Sequence, residues 1–297
     1  MLIYSKITEI FCIVDEFCKE YDQIVDKHLL GNPAKRPSIM SKSEIITITI
    51  LFQLSGFRTF KHFYIFYVQK HMKDDFPNTV SYNRFTELMQ QSLMPMTLFL
   101  KTCCLGTCTG ISFIDSTPVR VCKSKRIPNN KVFKGIATTG KSTMGWFHGF
   151  KLHIIINDKG EILTFTITQA NVDDRAPLKE ERFLDKIYGK LFADKGYIGK
   201  ELMQLLFVDG VHLITSIRNN MKNSLMSMSD KILLRKRSII ETVNDELKNI
   251  CQIEHSRHRS FGNFLSNIIA GLIAYSFLPK KPSIKCQTIN SNQLVAF

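Results

Sequence analysis

The sequence predicts an α/β protein: an all-helical region at the N-terminus, then a sheet flanked by helices. Two observations carry this. Through roughly the first hundred residues apolar side chains recur at three and four, the helical period. After Gly110 the texture changes to short β-branched and aromatic stretches, and two of these, Ile111-Ser112-Phe113-Ile114-Asp115 and Lys190-Leu191-Phe192-Ala193-Asp194, close on an aspartate. The second leads through a glycine turn and a helix into another strand, a spacing that implies parallel neighbours joined by a right-handed crossover.

Taken in order, Lys6 to Lys27 carries Ile7, Ile10, Phe11, Val14, Phe17, Cys18, Tyr21, Ile24 and Val25 at helical spacing, so this helix buries one face. A loop with Gly31, Pro33 and Pro37 leads to Ser41-Lys42-Ser43-Glu44, a capping box that opens a helix to about Leu54. Ser55-Gly56-Phe57 breaks it before Phe60, Phe63, Tyr64 and Tyr67. The pair reads either as a helix-turn-helix or as one of the many helix pairs joined by a glycine turn. Further helices begin near Ser81 and Pro95, the last running toward Thr107.

Gly110 to Thr117 is a short strand, bounded by Gly110 and Pro118, and Val119 and Val121 suggest a second short strand after it. Alone, Asp115 reads equally as a turn residue bonding its own backbone and as a carboxylate delivered to the end of a buried strand. The basic segment Lys123 to Lys134 is an exposed loop, either meeting phosphates or simply solvated. Gly149–Ile156 and Glu161–Thr168 form a hairpin across Asn157-Asp158-Lys159-Gly160. In its first arm Lys151 and His153 share one face, which either borders a site or is a partly exposed sheet face. Asn171 to Arg175 precedes a helix through Lys186, with Asp173 or Asp174 read as its N-cap in preference to a ligand. Lys190 to Ala193, Lys200 to Asp209 and Val211 to Ile217 give strand, helix, strand. A long helix from about Asp230 to Asn249 buries Ile240, Val243, Leu247 and Ile250, and sets Arg237, Glu241, Asn244 and Lys248 on the adjoining flank. That spacing also suits intrahelical salt bridging. Asn263 to Leu278 is an apolar helix expected to pack under the sheet, and the tail from Lys280 is polar and patternless. The expected domains are 1–108, helical and a candidate for DNA binding; 109–278, catalytic; and 279–297, a flexible tail.

Composition narrows the partners. Forty Lys and Arg against 26 Asp and Glu leave a formal charge of +14, enough to hold the chain against a polyanion. The longest apolar run, Phe264 to Leu278, is interrupted by Ser266, Asn267 and Ser276 and falls short of the roughly 20 residues of a bilayer span. Membrane is therefore set aside in favour of nucleic acid. No secretory signal is read in Met1 to Glu9, so the expected location is the cytoplasm. The eight cysteines contain no Cys-x-x-Cys pair, which argues for reduced packing residues over a zinc site.

Three carboxylates, Asp115, Asp194 and Glu241, converging on one place would raise one another's pKa unless cations neutralise them. Hard divalent ions suit such an all-oxygen site, and Mg²⁺ in particular works with substrate phosphates. Two ions roughly 3.5–4 Å apart can activate a water or 3′-hydroxyl on one side of a phosphodiester and stabilise the leaving oxygen on the other.

The Ile-Asp-Ser-Thr stretch at Asp115, the Ala-Asp-Lys-Gly-Tyr stretch at Asp194 and the Arg237…Glu241…Lys248 helix together resemble the three signatures of DDE transposases from bacterial insertion sequences, most closely the insertion sequence 982 group. The likeness spans roughly Ile111 to Arg259. It implies an RNase H-like core with a mixed five-stranded sheet, in which Asp115, Asp194 and Glu241 bind two Mg²⁺ ions, Mn²⁺ being able to substitute. It implies DNA phosphate contacts for Arg237 and Lys248. Gly149 to His153 and Glu254 to Arg259 also resemble the group, which brings Lys151, His153, Arg257 and Arg259 forward as DNA-binding candidates; a solvated basic turn is the other reading of the last two. One position departs: where the wider pattern often has a tyrosine three residues before the arginine, this chain has Leu234. The expected activity is binding of terminal inverted repeats in double-stranded DNA, cleavage at the element ends and transfer of 3′-hydroxyls into target DNA, by a homodimer on paired ends. A nuclease of the same core that does not join strands, and a DNA-binding protein without catalysis, are the alternatives.

Overall fold

The computed structural model describes residues 4–28, 38–143, 145–216, 225–254, 258–284 and 294–296. The chain divides into two compact units, Leu105–Asp245 with Pro279–Phe297, and Met1–Cys104 with Glu246–Leu278. Residues 246–278 thus group with the N-terminal helices, whereas a division at 108/109 assigns them to the sheet.

The first unit is built on β1 (Ile111–Cys122), β2 (Thr138–Ser142), β3 (Gly145–Asn157), β4 (Ile162–Gln169), β5 (Gly189–Ala193) and β6 (Val211–Thr215). β1 pairs antiparallel with β3 on one edge and parallel with β5 on the other, and β6 continues the parallel side. On the far edge of β3, β2 pairs with Gly145–Gly149 and β4 with Phe150–Ile156. The two occupy one position in succession, so six strands fill five places. The order is the RNase H-like arrangement, mixed α/β with flanking helices, and β2 extends it.

The two short strands expected on either side of Pro118 form one, β1, which runs through Pro118 to Cys122. β5 pairs with it only as far as Phe113. Beyond that point one edge of β1 is open, and a residue lacking an N–H is tolerated there. The start of the parallel pairing depends on two glycines. Gly189 has φ +80° and lies so close to Gly110 that a Cβ would fall 2.5 Å from the Gly110 carbonyl oxygen. Lys190 N donates to that same oxygen at 2.8 Å. Only a residue without a side chain satisfies both the left-handed backbone and the approach.

One face of the sheet buries Ile114, Leu191, Leu213 and Ile155 with Phe183, Leu202 and Leu206, which come from the short turn Glu181–Leu184 and the helix Lys200–Val208. The helix expected after Asn171–Arg175 and through Lys186 is replaced by a 3₁₀ turn, Pro177–Lys179, and that short turn. Asp173 caps no helix: it accepts from the Arg175 backbone N–H at 2.8 Å and grips the same residue's guanidinium. The β3–β4 hairpin forms as predicted, with Asn157 Oδ1 accepting from Lys159 N and Glu161 N. The first residues after the last helix are tied to this turn, Ile284 N donating to Asp158 O at 2.8 Å.

The helical unit contains Tyr4–His28, Lys42–Leu54, Tyr82–Gln91, Leu93–Phe99 and Phe261–Ser276. The capping box at Ser41 is present in both directions: Ser41 N donates to Glu44 Oε2 at 2.6 Å and Glu44 N to Ser41 Oγ at 3.1 Å. The partner of a helix-turn-helix reading runs through Phe60–His62, Phe63–Val68 and Gln69–His71, its middle segment widened to a π-helix. Phe261–Ser276, expected to pack under the sheet, is largely buried and packs within the helical unit against Lys42–Leu54 and Tyr82–Gln91. Gln53 Nε2 to Asn267 Oδ1, 2.8 Å, satisfies a polar pair in that core. Among the described residues no helix is long and apolar enough to cross a membrane, and the described cysteines are free thiols.

Candidate active site

The parallel register brings two aspartates level. β1 and β5 pair Phe113 with Phe192, and Asp115 and Asp194 each follow two residues later. Asp115 therefore lies just past the stretch of β1 that pairs with β5, and Asp194 just past the end of β5, level with each other where the parallel pairing stops, the side on which open α/β sheets gather ligands.

The third acid comes from a helix that starts later than expected. The predicted span from Asp230 is two helices, Met228–Arg235 and Ser238–Asn249. Between them Ile239 N and Ile240 N reach back three residues to Lys236 O and Arg237 O, at 3.1 Å each. Neither Gly nor Pro marks the break, so the sequence reads as continuous. The break puts Glu241 in the first turn of its helix, where the exposed N–H groups favour a carboxylate. Ile240, Val243 and Leu247 are buried as predicted, but Ile250 lies past the helix end and is 45% exposed.

Arg237 joins the acids. Its Nη2 lies 2.9 Å from Glu241 Oε1 and 3.9 Å from Asp194 Oδ1. The guanidinium is 18% exposed, while the Asp194 and Glu241 side chains are 56% and 58% exposed. Asp115 is held from the other side: the Asn244 side-chain amide donates to its Oδ2 at 3.1 Å. Burial pushes the Asp115 carboxyl up to about 6; Arg237 opposes this, and the negative charges of Glu241 and Asp194 reinforce it. Among the described residues no three His, Cys, Asp or Glu side chains stand close enough together to hold a metal ion as they lie.

A second set of polar groups surrounds Asp115. Ser116 Oγ donates to Asp174 Oδ1 at 2.8 Å, and Lys151 Nζ reaches the same oxygen at 2.9 Å and Val172 O at 2.8 Å. Tyr197 is buried with its hydroxyl unpartnered, and burial first, then Asp115 and Asp174, drive its pKa well upward.

The remaining sequence candidates divide. Lys151 is spent on Asp174, with its side chain 12% exposed. His153 is fully buried, its Nε2 2.8 Å from Thr168 Oγ1, and burial lowers its pKa to about 4. A neutral, enclosed imidazole offers a phosphate nothing: His153 is held against β4, and Lys151 ties down the loop after it. Lys248 belongs to the helical unit and pairs with Glu254 at 3.5 Å. Arg259 is exposed, and Arg257 lies outside the described residues. Asn244 and Asp174 were missed as site residues. Asn244 could be seen on the flank of Arg237 and Glu241, but its partner is 129 positions away.

A mixed sheet that sets two aspartates side by side, with a glutamate on a following helix, defines a carboxylate-centred site on an RNase H-like core. Residues 105–261, more than half of the chain, match the family model described as a transposase DDE domain, and the chain belongs to that family. No curated protein matches the sequence. Among solved structures the chain is similar to a piggyBac transposase, determined by cryo-EM as a synaptic complex with hairpin DNA. The identity is 9% and the TM-score 0.46, over 90% of this chain and 71% of that one.

Proposed function

We propose that this protein is the transposase of a bacterial insertion sequence, most similar to the insertion sequence 982 group. It binds the terminal inverted repeats of its element, cleaves phosphodiester bonds at the ends and transfers the freed 3′-hydroxyls into target DNA, as a homodimer on paired ends. The observation that carries this reading is the alignment of Asp115 and Asp194 on adjacent strands, with Arg237 linking Asp194 to Glu241.

The donor set fits divalent ions. Asp115, Asp194 and Glu241 offer hard oxygens only, which suits Mg²⁺ or Mn²⁺. Burial first, then the charges of Glu241 and Asp194, push Asp115 up to about 6, a shift that a bound cation would oppose. Asp194 and Glu241 are exposed enough to rotate toward an ion. Two ions held there would activate a water or 3′-hydroxyl and stabilise the departing oxygen. The chain's own residues do the rest. Asn244 fixes the orientation of Asp115, and Arg237 offsets the charge of Asp194 and Glu241 until substrate phosphate enters. Lys248, Arg257 and Arg259 follow the DNA backbone, with the net charge of +14 drawing the duplex in.

The test is strand cleavage of a duplex carrying the element's own end, with Mg²⁺, by the intact protein and by Asp194→Asn. Loss of cutting with DNA binding retained is the expected outcome, and joined products on labelled ends separate a transposase from a nuclease. Equal cutting by both proteins would sink the assignment of the acids. Binding without cutting by either would favour a DNA-binding protein that does no chemistry.

A further inference from the structure

The second residue of β3 is the chain's single tryptophan, Trp146, and the fold leaves it in water. Trp146 is 67% exposed, while the next residue, Phe147, is 3% exposed and packed in the sheet unit. Its cross-strand partner is Lys141, whose Nζ lies 6.0 Å from the indole centroid. Lys141 also stands on the rim of a polar cavity of about 290 Å³, and Gly196, two residues past Asp194, forms part of the same wall. The two carboxylates in that cavity are already neutralised, Asp173 by Arg175 and Asp174 by Lys151. The hairpin therefore presents one aromatic face and one ammonium beside the loop that carries an acid of the candidate active site.

Among the described residues flanking it, Gly145 has no side chain and Phe147 is buried, so they add no apolar surface to the single ring, which is little for a protein partner. A nucleotide matches the pair: its base has a π-face for the indole, and its phosphate has a charge for the lysine. A base inside a duplex offers only its edges, so the stacked base must be unpaired. We propose that the β2–β3 hairpin is a stacking subsite for an unpaired nucleotide of the DNA strand engaged at the acids, with the base on Trp146 and the phosphate on Lys141. The inference rests on the DNA reading of the site.

Because the chain has one tryptophan, its intrinsic emission reports this subsite alone. The full-length protein is titrated with a labelled element-end duplex bearing a single-stranded extension, and with the same duplex blunt. Indole emission and label anisotropy are read together. Quenching by the extended DNA is expected, with Trp146→Ala weakening that DNA roughly 5- to 150-fold, leaving blunt duplex binding unchanged, and Trp146→Phe restoring most of the affinity. Anisotropy that rises while the emission stays flat, or a Trp146→Ala protein that binds both DNAs like the parent, would overturn the subsite and leave the DNA reading standing. Failure of the parent to bind either DNA would overturn both. Trp146 is exposed, so circular dichroism of the alanine variant should match the parent.

Discussion

Asn244 shows how one amide can govern a carboxylate. Asp115 is half-buried and feels the charges of Glu241 and Asp194, and a directed donor both lowers the cost of its ionisation and fixes which way its oxygens face. On the proposed reading, Asn244→Ala should slow end cleavage about 10- to 100-fold, the range seen when a partner of a ligating group is removed. DNA affinity and melting temperature should change little. A fall in all three together would instead assign Asn244 to packing. The residue was visible as a member of the right helical flank, yet its role was not, since the contact is made across 129 positions of chain. His153 is the converse. Alternation along β3 put it on the polar face, but β4 covers that face, with Thr168 Oγ1 against one ring nitrogen, and burial turns a candidate cation into a neutral core residue.

The elements that position the acids owe more to backbone than to side chains. Gly110 and Gly189 set where β5 begins against β1, and that register makes Asp115 and Asp194 neighbours. Gly189→Ala forces a left-handed residue to carry a Cβ 2.5 Å from a carbonyl oxygen. A loss of stability of about 1–3 kcal/mol is expected from the backbone strain, read as a lower denaturant midpoint; an unchanged midpoint would show that the strand start shifts freely. The capping box at Ser41, the β3–β4 turn and the strand–helix–strand order from Lys190 onward were legible because each is written in contiguous residues. The kink before Ser238 was not, since Lys236 and Arg237 are ordinary helix formers and the tightened turn carries no breaker.

For the molecule as a whole, the buried histidines set an acid limit. His153 and His258 are both depressed to about 4 by burial. Between pH 6.5 and 4 the unfolded chain binds protons that the folded chain refuses, so stability is full above pH 6.5 and falls as pH drops toward 4. Asp115 works the other way, taking up its proton at about 6 in the folded chain and offsetting part of the loss. Thermal melts across this range should decline on the acid side, and His153→Gln should flatten the slope; a profile of the same slope in both proteins would contradict the burial argument. The division of the chain has a consequence for synthesis. The helical unit is opened by Met1–Cys104 and completed by Glu246–Leu278, and the helix at its centre, Phe261–Ser276, packs on Lys42–Leu54. On the ribosome, the apolar face of Lys42–Leu54 emerges some two hundred residues before its partner, and the whole sheet unit between Leu105 and Asp245 is made in the interval. A nascent chain stalled in that interval would hold Lys42–Leu54 packed on Tyr4–His28 and Tyr82–Gln91 but bare on the side that Phe261–Ser276 covers, so the early helices are the segment open to misassembly until the last ones arrive.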